Sequence, residues 1–158
     1  MDFPERVYTT EEVRIALELV KKGYLHRLRI KGRSVFKENV RQALKHVKTA
    51  GYHDFLRTYI RSIVEIEGLT QLREAEATIW ATNYTVQNPI DAASLFIQKA
   101  SHMKEYLEGK LYFGGAAETR SVEKRIEFLK LLKKKSVNQK VKDECSRLLS
   151  QWNESVFL

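Results

Sequence analysis

The chain is poor in the residues that cross-link small domains or interrupt helices. Its one cysteine, Cys145, excludes an internal disulfide framework and fits a reducing compartment, so a cytoplasmic location is expected. Its two prolines, Pro4 and Pro89, and seven glycines leave long stretches without breakers, which favours helices. No apolar run approaches the ~20 residues needed to span a bilayer, so no membrane span is expected. The opening MDFPERVYTT lacks the apolar segment of a signal peptide. Low-complexity tracts are missing, and a hydrophobic fraction of 43% is enough for a packed core. A single domain over 1–158 is expected, with an extended lead-in at 1–9 and a C-terminal tail at 154–158.

Signatures of chemistry are equally scarce. The four histidines, His26, His46, His53 and His102, include no pair spaced three or four apart, so no metal is expected. Gly114-Gly115 is not followed by the Lys-Ser/Thr of a phosphate loop, and no cofactor is expected. Glu65/Glu67 and Glu74/Glu76 are two apart, which on a helix points their carboxylates away from each other. Cys145 falls on an apolar stripe and reads as a core thiol.

Acid is missing from one stretch above all. Lys21–Lys48 holds ten Lys/Arg and only Glu38 against them, a net +9 where the whole chain is +8. The excess charge is therefore concentrated in one place, which points to a polyanionic partner. Val122–Arg147 is a second, weaker basic region.

Helical spacing accounts for most of the chain. Thr10, Glu11 and Glu12 read as a helix start, Val13, Ala16, Leu17 and Val20 as its apolar stripe, and Lys21-Lys22-Gly23 as its stop. Residues 24–31 fit a strand slightly better than a helix. A strand would put Tyr24, His26, Leu28 and Ile30 on one face and Leu25, Arg27, Arg29 and Lys31 on the other. Arg6–Thr10 is the one candidate partner strand. Ser34 to Thr49 is a helix with Phe36, Val40, Ala43, Leu44 and Val47 inward and a stripe of Lys37, Arg41, Lys45 and Lys48 beside them.

Further helices are expected over Asp54–Ile66, Leu69–Tyr84, Pro89–Glu108, Val122–Lys135 and from about Gln139 to Asn153. Asn88 would cap the helix that starts at Pro89. Gly109 and Gly114-Gly115 bracket a loop carrying Tyr112 and Phe113. The expected fold is all-α: a helical bundle of six or seven helices with short turns.

Arg41-Gln42-Ala43-Leu44-Lys45-His46 reads R-x4-H and resembles the motif of HEPN-domain ribonucleases, small all-α bundles. The resemblance covers six residues. It implies phosphate stabilisation by Arg41 and proton transfer by His46. Gln42 departs from the usual Asn, Asp or His. Phe128–Glu154 is similar to the last helices of the N-terminal domain of transcription elongation factor S-II, and no function is carried over from it.

The residues thus point to a non-catalytic protein that binds nucleic-acid backbone, RNA or DNA, through Arg27, Arg29, Lys31, Arg33, Lys37, Arg41, Lys45 and Lys48. Tyr24 and Tyr52 flank this stretch as candidate stacking rings. Gly32-Arg33-Ser34 would offer backbone N–H groups as a phosphate seat. The alternative is a helical interaction module or complex subunit using Tyr112, Phe113 and Val156-Phe157-Leu158.

Overall fold

The computed structural model describes residues 2–110 and 114–157, with side-chain environments given as far as residue 152. Tyr112 and Phe113 lie outside the described residues, as do Leu158 and the side chains of Val156 and Phe157. The fold is α/β, which corrects the expected all-α bundle: among the described residues, six helices accompany a four-stranded mixed sheet. Among the described residues, no helix is long and apolar enough to cross a membrane.

Helix α1, Thr10–Lys21, starts one residue earlier than the sequence suggested, because Thr9 forms the capping box. Its Oγ1 accepts from the Glu12 N–H at 3.1 Å, and the Glu12 carboxylate accepts from the Thr9 N–H at 2.8 Å. At its end Gly23 takes φ +87°, and the Tyr24 N–H donates to the Leu19 carbonyl.

The segment after Gly23 is irregular, with Leu28 at φ +55°, and leads into strand β1, Arg29–Lys31. Its partner is not Arg6–Thr10. It pairs in parallel with β2, Ser62–Glu65, after a crossover through α2, Ser34–Thr49, and α3, His53–Tyr59. The expected helices Asp54–Ile66 and Leu69–Tyr84 are both corrected. The first stops at Tyr59 and gives way to β2. The second is strand β3, Gln71–Arg73, a single 3-10 turn, and strand β4, Thr78–Ala81.

The strand order is β1-β2-β4-β3, with β3 antiparallel to β4. Register places Ile30, Ile63, Ile79 and Leu72 in one row across the sheet. All four belong to the core or pack against it. This is the face that the helices cover.

Helix α4, Pro89–Leu107, runs through the middle of the helical layer. Asn88 caps it, accepting from the Ile90 and Asp91 N–H groups at 3.1 Å, with Pro89 in the first turn as expected. Six consecutive residues, Ala92 to Ile97, are buried, so the helix is enclosed rather than amphipathic. Helices α1, α2 and α3 pack on it, as do α5, Gly115–Lys135, and α6, Gln139–Phe157. Helix α6 continues through positions 154–157, which were expected as a tail.

Helix α5 starts well before Val122, where its start was expected. It carries Arg125, which is 7% exposed. Its guanidinium donates to Asp91 Oδ1 at 2.7 Å and Ser94 Oγ at 3.1 Å, and lies 4.4 Å from the centre of the Trp152 ring. One buried cation thereby joins α4, α5 and α6. Breaking a buried pair leaves a charge without compensation, whereas removing both partners does not. Asp91→Ala should destabilise the fold by about 2–4 kcal/mol in urea denaturation. Arg125→Met combined with Asp91→Ala should recover at least half of that loss.

Candidate nucleic-acid interface

Strand register separates the two faces of the sheet. Opposite the isoleucine row lie two other rows: Arg29, Ser62, Thr78 and Arg73, then Lys31, Val64, Trp80 and Gln71. None of these eight positions is acidic. Arg29, Lys31 and Arg73 are exposed, and Val64 and Trp80 are half-buried and stand outside the core cluster. This face is therefore a cationic surface with an aromatic ring in it, not a second packing surface. The Arg73 guanidinium lies 4.4 Å from the Trp80 ring centre and holds the indole in place. Ser62 and Thr78 are small and buried between these long side chains, with their hydroxyls 2.9 Å apart.

Towards the amino ends of β1 and β2 the surface deepens into a cavity of about 280 Å³. Tyr24, His26, Arg27, Arg29, Lys31, Arg61 and Ser62 line it. Four of these seven side chains are cationic and none is acidic. Arg61 is held by the lead-in segment, donating to the Pro4 and Glu5 carbonyls, and lies over the Phe3 ring. His26 is 2% exposed, wedged edge-on against Phe3 and Tyr24. Its Nε2 is buried without a hydrogen-bond partner. Burial, and then the charges of Arg61 and Arg57, push its pKa down to about 4.

The eight basic residues singled out from sequence do not share one surface. Arg29 and Lys31 point to the open face of the sheet, and Arg27, exposed, lines the cavity beside them. Leu28 between them takes φ +55°, so residues 24–31 do not form one continuous strand. Lys37, Arg41, Lys45 and Lys48 lie on α2, in the layer packed against the other face. Lys37 is half-buried, the other three are exposed, and Arg41 pairs with Glu38 at 3.6 Å.

Arg33 belongs to neither group. Its guanidinium meets Glu65 Oε2 at 2.7 Å, and its backbone N–H donates to Glu65 Oε1 at 2.8 Å. The proposed phosphate seat at Gly32-Arg33-Ser34 is thus filled by a carboxylate of the chain itself. This pairing holds the Glu65 carboxyl below its ordinary range. A larger recess of about 480 Å³ opens here at the carboxyl ends of the parallel strands, lined by Arg33, Glu65, Glu67, Thr82 and Asn83 among others. Its two carboxylates disfavour a polyanion.

Arg41 and His46 are five apart on α2, an offset that turns their side chains ~140° from each other. Arg41 is exposed and paired, His46 is half-buried, and burial and Lys45 lower the imidazole pKa. The mixed sheet also departs from the all-α bundle that the HEPN resemblance implies. Among the described residues, no group of three or more His, Cys, Asp or Glu could hold a metal ion. Of the proposed stacking rings, Tyr24 lines the cavity, whereas Tyr52 is tied to α5 through its hydroxyl, 2.8 Å from Glu127.

Sequence reasoning missed Arg61, Arg73, Trp80 and the buried state of His26, because their segments were assigned to helices or left ambiguous. The β-branched density of Ile60, Ile63, Val64 and Ile66, and of Thr78, Ile79 and Thr82, is the signal that would have found the strands.

No family model, curated protein or solved structure matches this chain.

A histidine buried in its neutral form withholds stability at low pH. The unfolded chain takes up a proton near pH 6.5, the folded chain only near 4, so His26's contribution falls as pH drops through that window. By this linkage it should change stability by about 2 kcal/mol between pH 7 and 5. Urea titrations at both values, on the wild type and on His26→Gln, check it: the variant's pH dependence should be smaller by that amount.

Proposed function

We propose that this protein binds single-stranded nucleic acid without catalysis, along the open face of its sheet. The observation that supports this reading is the acid-free pair of rows carrying Arg29, Lys31 and Arg73 beside Trp80. Side chains two apart on a strand are ~6.6 Å from each other, comparable to the spacing of phosphates along a single strand. Arg29 and Lys31 would pair with successive phosphates, and Trp80 would offer a ring edge or face to a base. Contacts of this kind favour backbone over sequence. The stripe Lys37, Arg41, Lys45 and Lys48 on α2 is a separate surface, and it enters this reading as a source of long-range attraction.

Fluorescence anisotropy with labelled single-stranded RNA and DNA from 50 to 300 mM salt tests the reading. Log K should fall linearly with log salt, and Arg29→Ala with Lys31→Ala should flatten the slope by about 1.4, at ~0.7 per phosphate contact. Trp80→Ala should cost about 1–3 kcal/mol of binding. Lys37→Ala with Lys45→Ala should change affinity less than the β1 pair does. No binding at 50 mM salt, or full binding in the β1 variant, would remove the sheet face from consideration.

A further inference from the structure

The cavity at the amino ends of β1 and β2 does more than extend a charged surface. A track for internal phosphates needs spaced cations on an open face, each meeting one negative charge. Here Arg27, Arg29, Lys31 and Arg61 converge on a single recess of about 280 Å³. That volume is just below the range of drug-sized ligand sites, which starts at ~300 Å³. It suits one terminal group rather than a run of nucleotides. A phosphomonoester carries close to two charges near neutral pH, because its second pKa is about 6. An internal phosphodiester carries one. Convergent arginines, with their forked donors, match the doubly charged group best.

Two further features favour a built site over a chance cluster of surface charges. Arg61 is half-buried and fixed through the Pro4 and Glu5 carbonyls and the Phe3 ring, so part of the cationic wall is pre-positioned. His26, 2% exposed, belongs to the same lining, and its buried Nε2 has no hydrogen-bond partner within the protein. A buried polar atom without a partner is costly, and a ligand atom that meets it recovers that cost. The carboxylates that interact with Arg61, Glu5 and Glu76, lie outside the cavity lining.

We propose that this cavity binds the terminal phosphate of a nucleic-acid strand, with Arg27 and Arg61 around the phosphate, Arg29 and Lys31 at its mouth taking the phosphates that follow, and Tyr24 beside the terminal nucleoside. This rests on the nucleic-acid reading above and adds to it that the protein prefers strand ends. The strand would then run from the cavity across Arg29 and Lys31 towards Trp80.

The test is calorimetric titration of the full chain with one single-stranded RNA oligonucleotide in three forms: 5′-phosphorylated, 3′-phosphorylated and unphosphorylated. Inorganic phosphate is a fourth probe. One phosphorylated form should bind at least tenfold tighter than the unphosphorylated strand, and which form does so gives the polarity. Arg27→Gln, an exposed position off the two sheet rows, should abolish most of that preference. The His26 imidazole resonances should shift on addition of the preferred strand. Equal affinity for all three oligonucleotides would overturn the terminal-phosphate site and leave binding along the sheet standing. A preference without any shift at His26 would also overturn it, since the phosphate would then sit elsewhere. Binding of inorganic phosphate with a His26 shift, but of no oligonucleotide, would keep the anion site and refute the nucleic-acid reading. No binding of any probe would refute both.

Discussion

The enclosure of α4 is the constraint on which the rest of the structure depends. A helix buried along most of its surface needs partners on every side, and α4 draws α1, α2, α3, α5 and α6 around itself. Its start is fixed locally by Asn88 and Pro89. Its lateral contacts are mostly apolar, with polar ones from Asp91, Ser94, Gln98 and Glu105 to α5 and from Tyr106 to the Val7 carbonyl. The contact of Arg125 with Asp91 and Ser94 fixes how α5 and α6 sit, because a guanidinium with directed hydrogen bonds has few acceptable positions in a core. Packing density does the rest, with Phe96, Ile97 and Met103 fully buried along the same helix.

Because α4 gathers the helices into one layer, the sheet has a single apolar face to satisfy. Ile30, Ile63, Ile79 and Leu72 meet that need in one register row. The opposite rows stand outside the core cluster and carry charge, hydroxyls, Val64 and one indole. The candidate interface is thus a by-product of topology. A sheet covered on both sides would have needed apolar residues where Arg29, Lys31 and Arg73 stand. The aromatic wedge of Phe3, Tyr24 and His26 then closes the amino end of this face and gives it depth.

The sequence was most readable where one local rule sufficed. The α2 stripe, the Asn88-Pro89 start and the Gly23 stop each follow from a few neighbouring residues, and each stands as expected. The sheet was hidden for a physical reason. Strands of three or four residues show at most two alternations, too few to compete with a helical pattern. Leu56, Tyr59, Ile60, Ile63 and Val64 lie at ideal helical spacing, yet the helix ends at Tyr59. Strand β2 gains a parallel neighbour on each side, from residues some thirty positions before it and sixteen after. No local window reports such pairing. The concentration of charge was legible, but its division between β1 and α2 was not. Gly32 sends the chain from one layer to the other, and it is tightly constrained there: an added Cβ would sit 2.7 Å from the Glu65 Cβ. Glu65 was likewise placed on a helix, pointing away from Glu67, whereas it ends a strand and occupies the helix start that had been reserved for a phosphate.

The outermost strands also bear on how copies of the chain treat one another. A sheet of this order ends in β1 on one side and β3 on the other, and each leaves a row of backbone groups open to a second sheet. Both ends carry like charge, Arg29 and Lys31 on one and Arg73 on the other. Two molecules approaching edge to edge therefore repel before their backbones can join. At low ionic strength this repulsion would oppose edge-to-edge pairing, while salt, or a chain that neutralises these residues, would weaken it. A bound polyanion would at once occupy the surface and remove what holds neighbouring molecules apart.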